Sequence, residues 1–261
     1  VDRIRLILDG EMFVDDPIVD QFLHAIEARK ACKPVQYIVN KQEFMGLDFF
    51  VKEGVLIPRA DTEIVVEKAM ELIKSKEKPI IIDMCTGSGA IALSLAYHIR
   101  DSKVYAVDLS DDAIFCCNEN INRYNLNDRV ILYKGNLFDP IENLDLEGKV
   151  DMIISNPPYI STSDIEALGI NVKDFEPHLA LDGGTDGLNF YRMITEKASG
   201  YLKDGGMLVY EIGYNQGQEV VKLIQESDFY ENVEITRDLA SLDRCVTARM
   251  NRKNRSDNNA G

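Results

Sequence analysis

The sequence of 261 residues contains no tryptophan and only three histidines. These histidines, His24, His98 and His178, are scattered along the chain and share no metal-ligand spacing. The five cysteines are odd in number and include no Cys-x-x-Cys pair, so neither a zinc site nor a disulfide framework is expected. The sequence therefore predicts a protein with free thiols and no bound metal.

Long hydrophobic runs are also missing. No apolar stretch approaches the roughly 18 residues that a transmembrane helix needs, and the N-terminus lacks the charged-then-apolar pattern of a secretory signal. Together with the free thiols, these features predict a cytoplasmic protein that does not enter a membrane. The chain begins with Val1 rather than methionine, which suggests that upstream residues are missing.

Basic residues are in the minority, because 29 lysines and arginines stand against 44 aspartates and glutamates and give a formal net charge of −15. Almost the whole excess lies in residues 80–250, the part of the chain that carries the motifs described below. Such a surface repels a duplex nucleic acid unless a basic patch is hidden within it. Direct nucleic-acid binding is therefore not expected. The same composition is also explained if the acidic residues only keep the protein in solution.

From residue 79 onward, apolar runs of strand length alternate with amphipathic segments. The alternation predicts strands over 79–84, 103–108, 130–134, 150–155, 206–212, 232–237 and 244–250, and helices over 89–99, 111–124, 187–203 and 215–227. Units of this kind form a parallel sheet covered by helices on both faces. The last two strands are joined by a link too short for a parallel crossover, so they must be antiparallel if they are adjacent. A parallel sheet with such an antiparallel end distinguishes methyltransferases from dinucleotide dehydrogenases.

The segment before this alternation has a different pattern. Residues 15–31 predict an amphipathic helix with a capped start. Residues 35–39 and 43–51 are rich in aromatic and β-branched residues and predict strands, with a hairpin turn at 45–48. A further helix is predicted from about Asp61 to Lys74, and the polar tail 251–261 is predicted to be disordered.

A loop with two glycines follows the first strand of the alternating region. The strand ends at Asp83, the loop runs Met84-Cys85-Thr86-Gly87-Ser88-Gly89, and a helix begins at once. Glycine lets the backbone approach a ligand closely, and a helix start offers free N–H donors. Asp108 ends the second strand, where a carboxylate can accept hydrogen bonds from both hydroxyls of a ribose. The arrangement predicts a cradle for a nucleotide-like ligand.

The glycine loop alone does not decide which ligand is bound. Gly87-x-Gly89-x-x-Ala92 also fits the dinucleotide pattern of a nicotinamide oxidoreductase. Asp83 favours S-adenosylmethionine, because a carboxylate there suits an ammonium group but repels a pyrophosphate. After the third strand, Asn136 can bond an adenine amine and Leu137 can pack on its face, although a plain loop explains these two residues equally well.

The fourth strand runs directly into Asn156-Pro157-Pro158-Tyr159. Ligands in open α/β sheets bind beyond the carboxyl ends of strands, so this turn and the glycine loop are expected to face one crevice. The side-chain oxygen of Asn156 and the carbonyl of Pro157 can each accept one hydrogen of a planar NH2 group, which directs its lone pair at a methyl donor. The prolines fix φ and remove backbone donors, and Tyr159 offers a flat face. The turn predicts methyl transfer to an amide or exocyclic amine without a metal or a general base.

At this point the sequence resembles the HemK-type release-factor glutamine methyltransferases over roughly residues 34 to 250. The motifs that carry the resemblance are Pro34-Val35-Gln36-Tyr37-Ile38, Glu43-Phe44-Met45-Gly46, Ile57-Pro58-Arg59-Ala60-Asp61-Thr62-Glu63, Asp83 to Ala92, Asn156-Pro157-Pro158-Tyr159, Phe175-Glu176-Pro177, and Glu211-Ile212-Gly213 with Gln216-Gly217. The Asn-Pro-Pro-Tyr element is shared with adenine methyltransferases of DNA. The elements at Gln36–Ile38 and Arg59–Glu63 are much more specific to this family.

The resemblance implies a Rossmann-like class I methyltransferase fold, with a seven-stranded, mostly parallel sheet and an antiparallel C-terminal hairpin strand. The implied division is an N-terminal helical domain over 1–33, a β-hairpin linker over 34–56, a catalytic domain over 57–250 and the tail 251–261. The implied substrate is the glutamine of the Gly-Gly-Gln loop in peptide chain release factors, with S-adenosylhomocysteine as the second product. We expect a monomer that needs no metal.

The resemblance also implies the site residues. Those implied to hold the amide are Asn156, Pro157, Pro158 and Tyr159. Those expected to hold the cofactor are Asp83, Cys85, Thr86, Gly87, Ser88, Gly89, Asp108, Asn136, Leu137 and Asn156.

Two departures from the family pattern stand out. Cys85 occupies the place of the usual first loop glycine, and because cysteine is small we expect cofactor binding to survive, provided that φ at this position is negative. The segment before Pro34 is shorter than the usual N-terminal domain, which together with Val1 suggests truncation. That would affect the docking surface for a release factor, not the chemistry.

Three other functions are compatible with parts of the sequence. Methylation of adenine N6 or guanine N2 keeps the same catalytic turn but calls for a basic groove and usually a recognition domain. A nicotinamide oxidoreductase leaves Asn156–Tyr159 unexplained. A binding module without activity is the third, against which the intact Asp108 and Asn156 argue.

Overall fold

The computed structural model of the chain describes residues 3–252. Its helices are α1 Arg3–Leu8, α2 Asp16–Lys30, α3 Val35–Val39, α4 Ala60–Ile73, α5 Ala90–His98, α6 Asp111–Arg123, α7 Ile170–Lys173, α8 Asn189–Tyr201 and α9 Gly217–Glu226. Its strands are β1 Gln42–Phe44, β2 Leu47–Phe49, β3 Ile80–Met84, β4 Lys103–Asp108, β5 Val130–Lys134, β6 Val150–Ser155, β7 Leu202–Glu211, β8 Tyr230–Arg237 and β9 Asp243–Met250. Short 3-10 helices lie at Asp139–Ile141, Ile165–Ala167 and His178–Ala180.

The main sheet has seven strands in the order β5-β4-β3-β6-β7-β9-β8. Strands β3 to β7 pair in parallel, whereas β9 is antiparallel to both β7 and β8. The predicted α/β class, the parallel sheet and the antiparallel C-terminal hairpin are therefore confirmed. Strand β7 begins earlier than predicted, at Leu202.

Helices cover both faces of this sheet because successive side chains of its central strands point to opposite sides. Ile81 of β3 belongs to an apolar cluster with α4, α5 and α6, and its neighbour Ile82 belongs to a second cluster with α8 and α9. Strand β6 is buried along its whole length, as expected for a central parallel strand. From β3 the sheet extends in one direction through β4 to β5 and in the other direction through β6 to β7. The carboxyl ends of β3 and β6 therefore meet at a topological switch point.

The segment predicted as strand over 35–39 is a helix, and that prediction is wrong. The carbonyl of Pro34 accepts the N–H groups of Tyr37 and Ile38, and Asn40 ends the turn with a left-handed φ of 51°. Tyr37 is buried and donates to the carbonyl of Val55 at 2.6 Å. Tertiary burial of Tyr37 thus outweighs the strand propensity of its β-branched neighbours.

The predicted hairpin is present as β1 and β2, and it packs on the main domain. Phe44 and Phe49 are fully buried in the same cluster as α4, α5 and α6, and their rings meet edge to face. Asn120 of α6 accepts from the N–H of Phe50 at 2.7 Å and donates to the carbonyls of Phe50 at 3.0 Å and Ser88 at 2.9 Å. One buried carboxamide therefore joins the hairpin to the glycine loop.

The two ends of the described chain differ in packing. Helix α2 confirms the helix predicted over 15–31 but contains no buried residue, and Phe22 and Leu23 on its predicted apolar face are exposed. At the other end, Asn251 and Arg252 form hydrogen bonds to the domain. The disorder predicted for the tail from residue 251 onward therefore does not hold for these two residues. The rest of that tail, 253–261, lies outside the described residues. No helix within residues 3–252 has both the length and the apolarity to cross a bilayer.

Replacing Asn120 with alanine removes the three hydrogen bonds that join the hairpin, α6 and the glycine loop. At about 1 kcal/mol for each bond, Asn120→Ala should lower the free energy of unfolding by about 3 kcal/mol in urea denaturation. Asn122→Ala, at an exposed position of the same helix, is the matched control and should change it by less than about 0.5 kcal/mol. Equal stability of the two variants would refute the assigned role.

Candidate active site

The glycine loop turns sharply between β3 and α5. Gly87 and Gly89 have left-handed φ values of 57° and 82°. A Cβ atom at Gly89 would lie 2.5 Å from Cδ1 of Leu93 and 2.7 Å from Sγ of Cys117, whereas a Cβ at Gly87 would meet no protein atom within 4 Å. The two glycines therefore serve different purposes: Gly89 allows the helix to pack against α6, and Gly87 leaves open space in front of the loop.

Cys85 adopts a left-handed backbone, with φ at 61°. The negative φ on which the expected survival of cofactor binding depends is therefore not present, because the chain turns at this point and Thr86 N donates to the carbonyl of Val107 in β4 at 3.0 Å. A left-handed conformation disfavours side chains with a Cβ, which accounts for the glycine usual at this position. The Cys85 side chain packs against the apolar cluster below the sheet, and burial raises the pKa of its thiol, followed by the nearby Asp108 and Asp83.

Asp83 lies behind the loop rather than on the pocket surface. Its Oδ2 accepts from the hydroxyl of Thr86 at 2.6 Å and from the N–H of Ala92 at 3.1 Å, while Oδ1 has no hydrogen-bond partner among the described residues. Burial raises the pKa of this carboxyl to about 7, and the two hydrogen bonds oppose that rise. The carboxyl holds the loop to the start of α5, and its predicted contact with an ammonium group stays a prediction.

Asp108 stands at the end of β4, opposite the loop. Its Oδ2 accepts from the N–H of Gly87 at 2.8 Å, and its Oδ1 accepts from the N–H of Ser110 at 2.9 Å. Burial raises the pKa of Asp108, while these backbone hydrogen bonds lower it. A carboxylate oxygen accepts more than one hydrogen bond, so Asp108 can receive ligand hydroxyls in addition to its backbone donors.

A large pocket opens in front of these residues. It encloses about 1010 Å³ of space, counted out to the solvent at its mouth, against about 560 Å³ for a second, smaller pocket counted in the same way. Of the predicted cofactor residues, those that line it are Cys85, Thr86, Gly87, Ser88, Asp108, Asn136, Leu137 and Asn156. Gly89 and Asp83 support the wall from behind. The structure thus brings together residues from four strand ends.

The catalytic turn is tied to the glycine loop through the two central strands. The hydroxyl of Ser155 donates to the carbonyl of Met84 at 2.7 Å, so the ends of β6 and β3 are held side by side. Asn156 follows immediately and lines both the large pocket and a second, smaller one, which also contains Tyr159 and Glu211. Pro158 lines the large pocket, and Pro157 is buried next to it.

The position of Tyr159 is fixed at both ends of the residue. Its carbonyl accepts from Nε2 of Gln216 at 2.9 Å, and its hydroxyl lies 3.5 Å from Oε1 of Glu211. Burial raises the pKa of Tyr159 well above its usual range, and the Glu211 carboxyl adds to that rise. The phenol is therefore neutral at physiological pH and can donate a hydrogen bond.

Several residues of the smaller pocket have no role assigned from sequence. Arg59, at the start of α4, pairs with the buried Glu176 at 2.5 Å, and Glu211 is buried at the end of β7. The only sequence signal for them is that they stand in the Arg59–Glu63, Phe175–Pro177 and Glu211–Gly213 motifs. The five cysteines are free, as predicted. Within residues 3–252, no three His, Cys, Asp or Glu side chains are grouped so that they can hold a metal ion.

The two loop glycines should respond differently to alanine. Both substitutions force a Cβ into a left-handed backbone at a cost of about 1–2 kcal/mol, but only Gly89→Ala also collides with Leu93 and Cys117. Gly89→Ala should therefore unfold at least several degrees below Gly87→Ala in a thermal melt. Gly87→Ala should instead lose ligand affinity in calorimetry, because its methyl group enters the pocket; the reverse pattern would contradict this division of roles.

Comparison with known proteins agrees with the fold. The family described as methyltransferase small domain matches residues 62–173. The release factor glutamine methyltransferase of Clostridium acetobutylicum is 44% identical over 248 residues, covering 95% of this chain and 86% of the relative. The enzyme of the same name from Moorella thermoacetica is 43% identical, covering 94% and 85%.

Among solved structures, a methyltransferase from Pyrococcus furiosus superposes with a TM-score of 0.55 at 17% identity, covering 91% of this chain and all of that one. At that identity the likeness concerns the fold alone. The two curated relatives, in contrast, share sequence along nearly the whole chain. This chain therefore belongs to the release factor glutamine methyltransferase family.

Proposed function

We propose that this protein transfers a methyl group from S-adenosylmethionine to the side-chain amide nitrogen of the glutamine in the Gly-Gly-Gln loop of peptide chain release factors. The observation that carries the proposal is the place of Asn156, which borders both pockets at the joined ends of β3 and β6. A methyl donor in the large pocket and an acceptor amide in the smaller one would meet at this residue. Membership of the family supports the choice of acceptor.

The residues that line the large pocket support S-adenosylmethionine as its ligand. The space in front of Gly87, which a Cβ would fill, admits the ligand close to the backbone. We assign the ribose hydroxyls to Asp108 and the adenine to Asn136 and Leu137, because these groups supply an acceptor, an amide and an apolar face on the same wall. Cys85 to Gly89 would hold the methionine part, and Asp83, with its unpartnered Oδ1, would attract the ammonium group from behind the loop.

The chemistry asked of the protein is positioning. S-adenosylmethionine supplies an electrophilic methyl group with a neutral thioether as leaving group. An amide nitrogen is a weak nucleophile because its lone pair is delocalised, so Oδ1 of Asn156 and the carbonyl of Pro157 would each accept one N–H and direct the lone pair. Positioning of this kind can contribute roughly 7–11 kcal/mol. Pro157 and Pro158 keep the turn rigid, and Tyr159 would pack against the planar amide.

The remaining features of the proposal are the partner, the oligomeric state, the location and the independence of metal and nucleic acid. The release factor is the protein partner. The monomeric state, the cytoplasmic location, independence of metal and the lack of direct nucleic-acid binding stay predictions from the sequence.

Three acceptors test the proposed function. The enzyme is incubated with labelled S-adenosylmethionine and either a release factor, the same factor with its loop glutamine replaced by alanine, or unmethylated DNA. Label on the intact factor alone is the expected result. Label on DNA instead would assign the turn at Asn156 to a base amine and overturn the proposed acceptor.

Loss of Asp108 should act on cofactor binding. Asp108→Ala removes a charge-assisted acceptor and should weaken S-adenosylmethionine binding by about 1–3 kcal/mol in calorimetry. Asp128→Ala removes an exposed carboxylate outside the pocket and serves as the control for the change in net charge. An affinity equal to that of the control would count against the ribose assignment.

Loss of Asn156 should act on turnover. Asn156→Ala removes one acceptor for the reacting amide and only one of the residues that line the large pocket, so kcat should fall by about 100-fold or more, far more than the affinity for S-adenosylmethionine. Asn127→Ala, at an exposed loop position, is the control. Unchanged turnover of Asn156→Ala on the release factor would remove the assigned role.

A further inference from the structure

The side chain of Asn156 has two chemically different ends. Its Oδ1 accepts hydrogen bonds and its Nδ2 donates them, and the proposed reaction needs the acceptor end toward the substrate amide. A rotation of 180° about the last side-chain bond would present a donor to a donor and abolish binding. A neighbour that selects the correct orientation before the substrate arrives would therefore favour the reaction.

The neighbour that contacts the donor end is Thr62. Nδ2 of Asn156 donates to Oγ1 of Thr62 at 3.4 Å, a contact between residues separated by 94 positions in the chain. Thr62 lies in the first turn of α4, is 4% exposed and borders the large pocket beside Asn156. With Nδ2 engaged in this way, Oδ1 faces away from Thr62.

A hydroxyl group both donates and accepts, so Thr62 selects an orientation only if its own proton is engaged elsewhere. The candidate acceptor is the carboxyl of Glu211, which is 2% exposed and whose Oε2 has no hydrogen-bond partner among the described residues. Burial raises the pKa of Glu211 to about 7, opposed first by hydrogen bonding from Thr62 and then by the charge of Arg244. Asp61 and the Tyr159 hydroxyl are the other polar groups that face it.

An ionised carboxylate can only accept hydrogen bonds. In the ionised form of Glu211, the Thr62 hydroxyl would donate to this carboxyl and keep its oxygen lone pairs for Asn156. The same carboxyl lies 3.5 Å from the hydroxyl of Tyr159, so both ends of the catalytic turn converge on one buried group. Family membership and the pocket geometry do not by themselves assign any role to Thr62 or Glu211.

We propose that Thr62 is a positioning residue, held by Glu211, that fixes the side-chain amide of Asn156 with its oxygen toward the acceptor amide. This inference rests on the proposed function, because it states how the acceptor end of Asn156 is made available. It also explains why the first turn of α4 and the end of β7 carry polar residues at buried positions.

A matched pair of variants separates positioning from packing. Thr62→Val keeps the shape of the side chain but lacks the hydroxyl, whereas Thr62→Ser keeps the hydroxyl and loses a methyl group. We expect Thr62→Val to lower kcat on the release factor by about 10- to 100-fold, in line with the cost of misplaced reacting groups. Thr62→Ser should stay within about threefold of the wild type, and calorimetric affinity for S-adenosylmethionine should change less than twofold in both variants.

A double-mutant cycle tests whether Thr62 acts through Asn156. If it does, adding Thr62→Val to Asn156→Ala should cause no further loss of kcat. Multiplication of the two losses, equal losses in Thr62→Val and Thr62→Ser, or a wild-type rate in Thr62→Val would each overturn the inference. Should Thr62→Val fail to fold, Thr62→Ala is compared with Thr62→Ser in the same way.

A spectroscopic readout keeps this inference separate from the choice of substrate. With 15N-labelled asparagine, the side-chain NH2 signal of Asn156 is identified by its loss in Asn156→Ala. We expect Thr62→Val, but not Thr62→Ser, to shift this signal and to speed its exchange with water in the enzyme without acceptor. A wild-type enzyme that leaves the release factor unlabelled would sink the proposed function, whereas an unmoved signal in Thr62→Val would sink the role of Thr62 alone.

Discussion

The parallel pairing of β3 with β6 is the constraint on which the site depends. It sets Met84 opposite Ser155, and the Ser155 hydroxyl closes the junction by donating to the Met84 carbonyl. The chain leaves these two strands as the glycine loop and as the catalytic turn. Because both strands are central and fully covered by helices, neither end can move without disturbing the core.

A second layer of support comes from groups that lie behind the pocket wall. Asp83 joins Thr86 to the start of α5, and Asn120 joins Ser88 to the hairpin. The hairpin thus supports the cofactor loop through β2 and α6. Its two phenylalanines are buried in the core. Rigid backing of this kind is what a reaction that relies on positioning requires.

Buried carboxyl groups occupy both sides of the reaction centre. Asp83 lies under the loop and Glu211 lies under the catalytic turn, and each has one oxygen without a hydrogen-bond partner in the part of the chain that the structure describes. Burial raises the pKa of both carboxyl groups to about 7. Such groups cost stability when they ionise, so their presence at these two positions is more easily explained by the needs of the site than by the needs of the fold.

The strands, the helices and their alternation were predictable from the sequence because apolar periodicity is a local property. The glycine loop and the Asn156–Tyr159 turn were also predictable, because glycine, proline and the residue at the end of a strand indicate a turn from only a few neighbouring positions. Val35–Val39 was predicted wrongly, because its strand-like composition yields to the burial of Tyr37. The left-handed backbone of Cys85 was not predicted, because a cysteine by itself does not indicate a positive φ and only the glycine usual at this position pointed to one.

Only the tertiary structure decided which distant residues meet. Thr62, Asn156 and Glu211 come from the start of α4, the end of β6 and the end of β7, and no spacing along the chain relates them. Their protonation and orientation depend on desolvation and on hydrogen bonds across the sheet, which exist only once those elements are packed. The sequence by itself therefore determined the fold and the two motifs that face the ligands, whereas packing decided how those motifs are held, because burial and long-range contacts are properties of the folded chain.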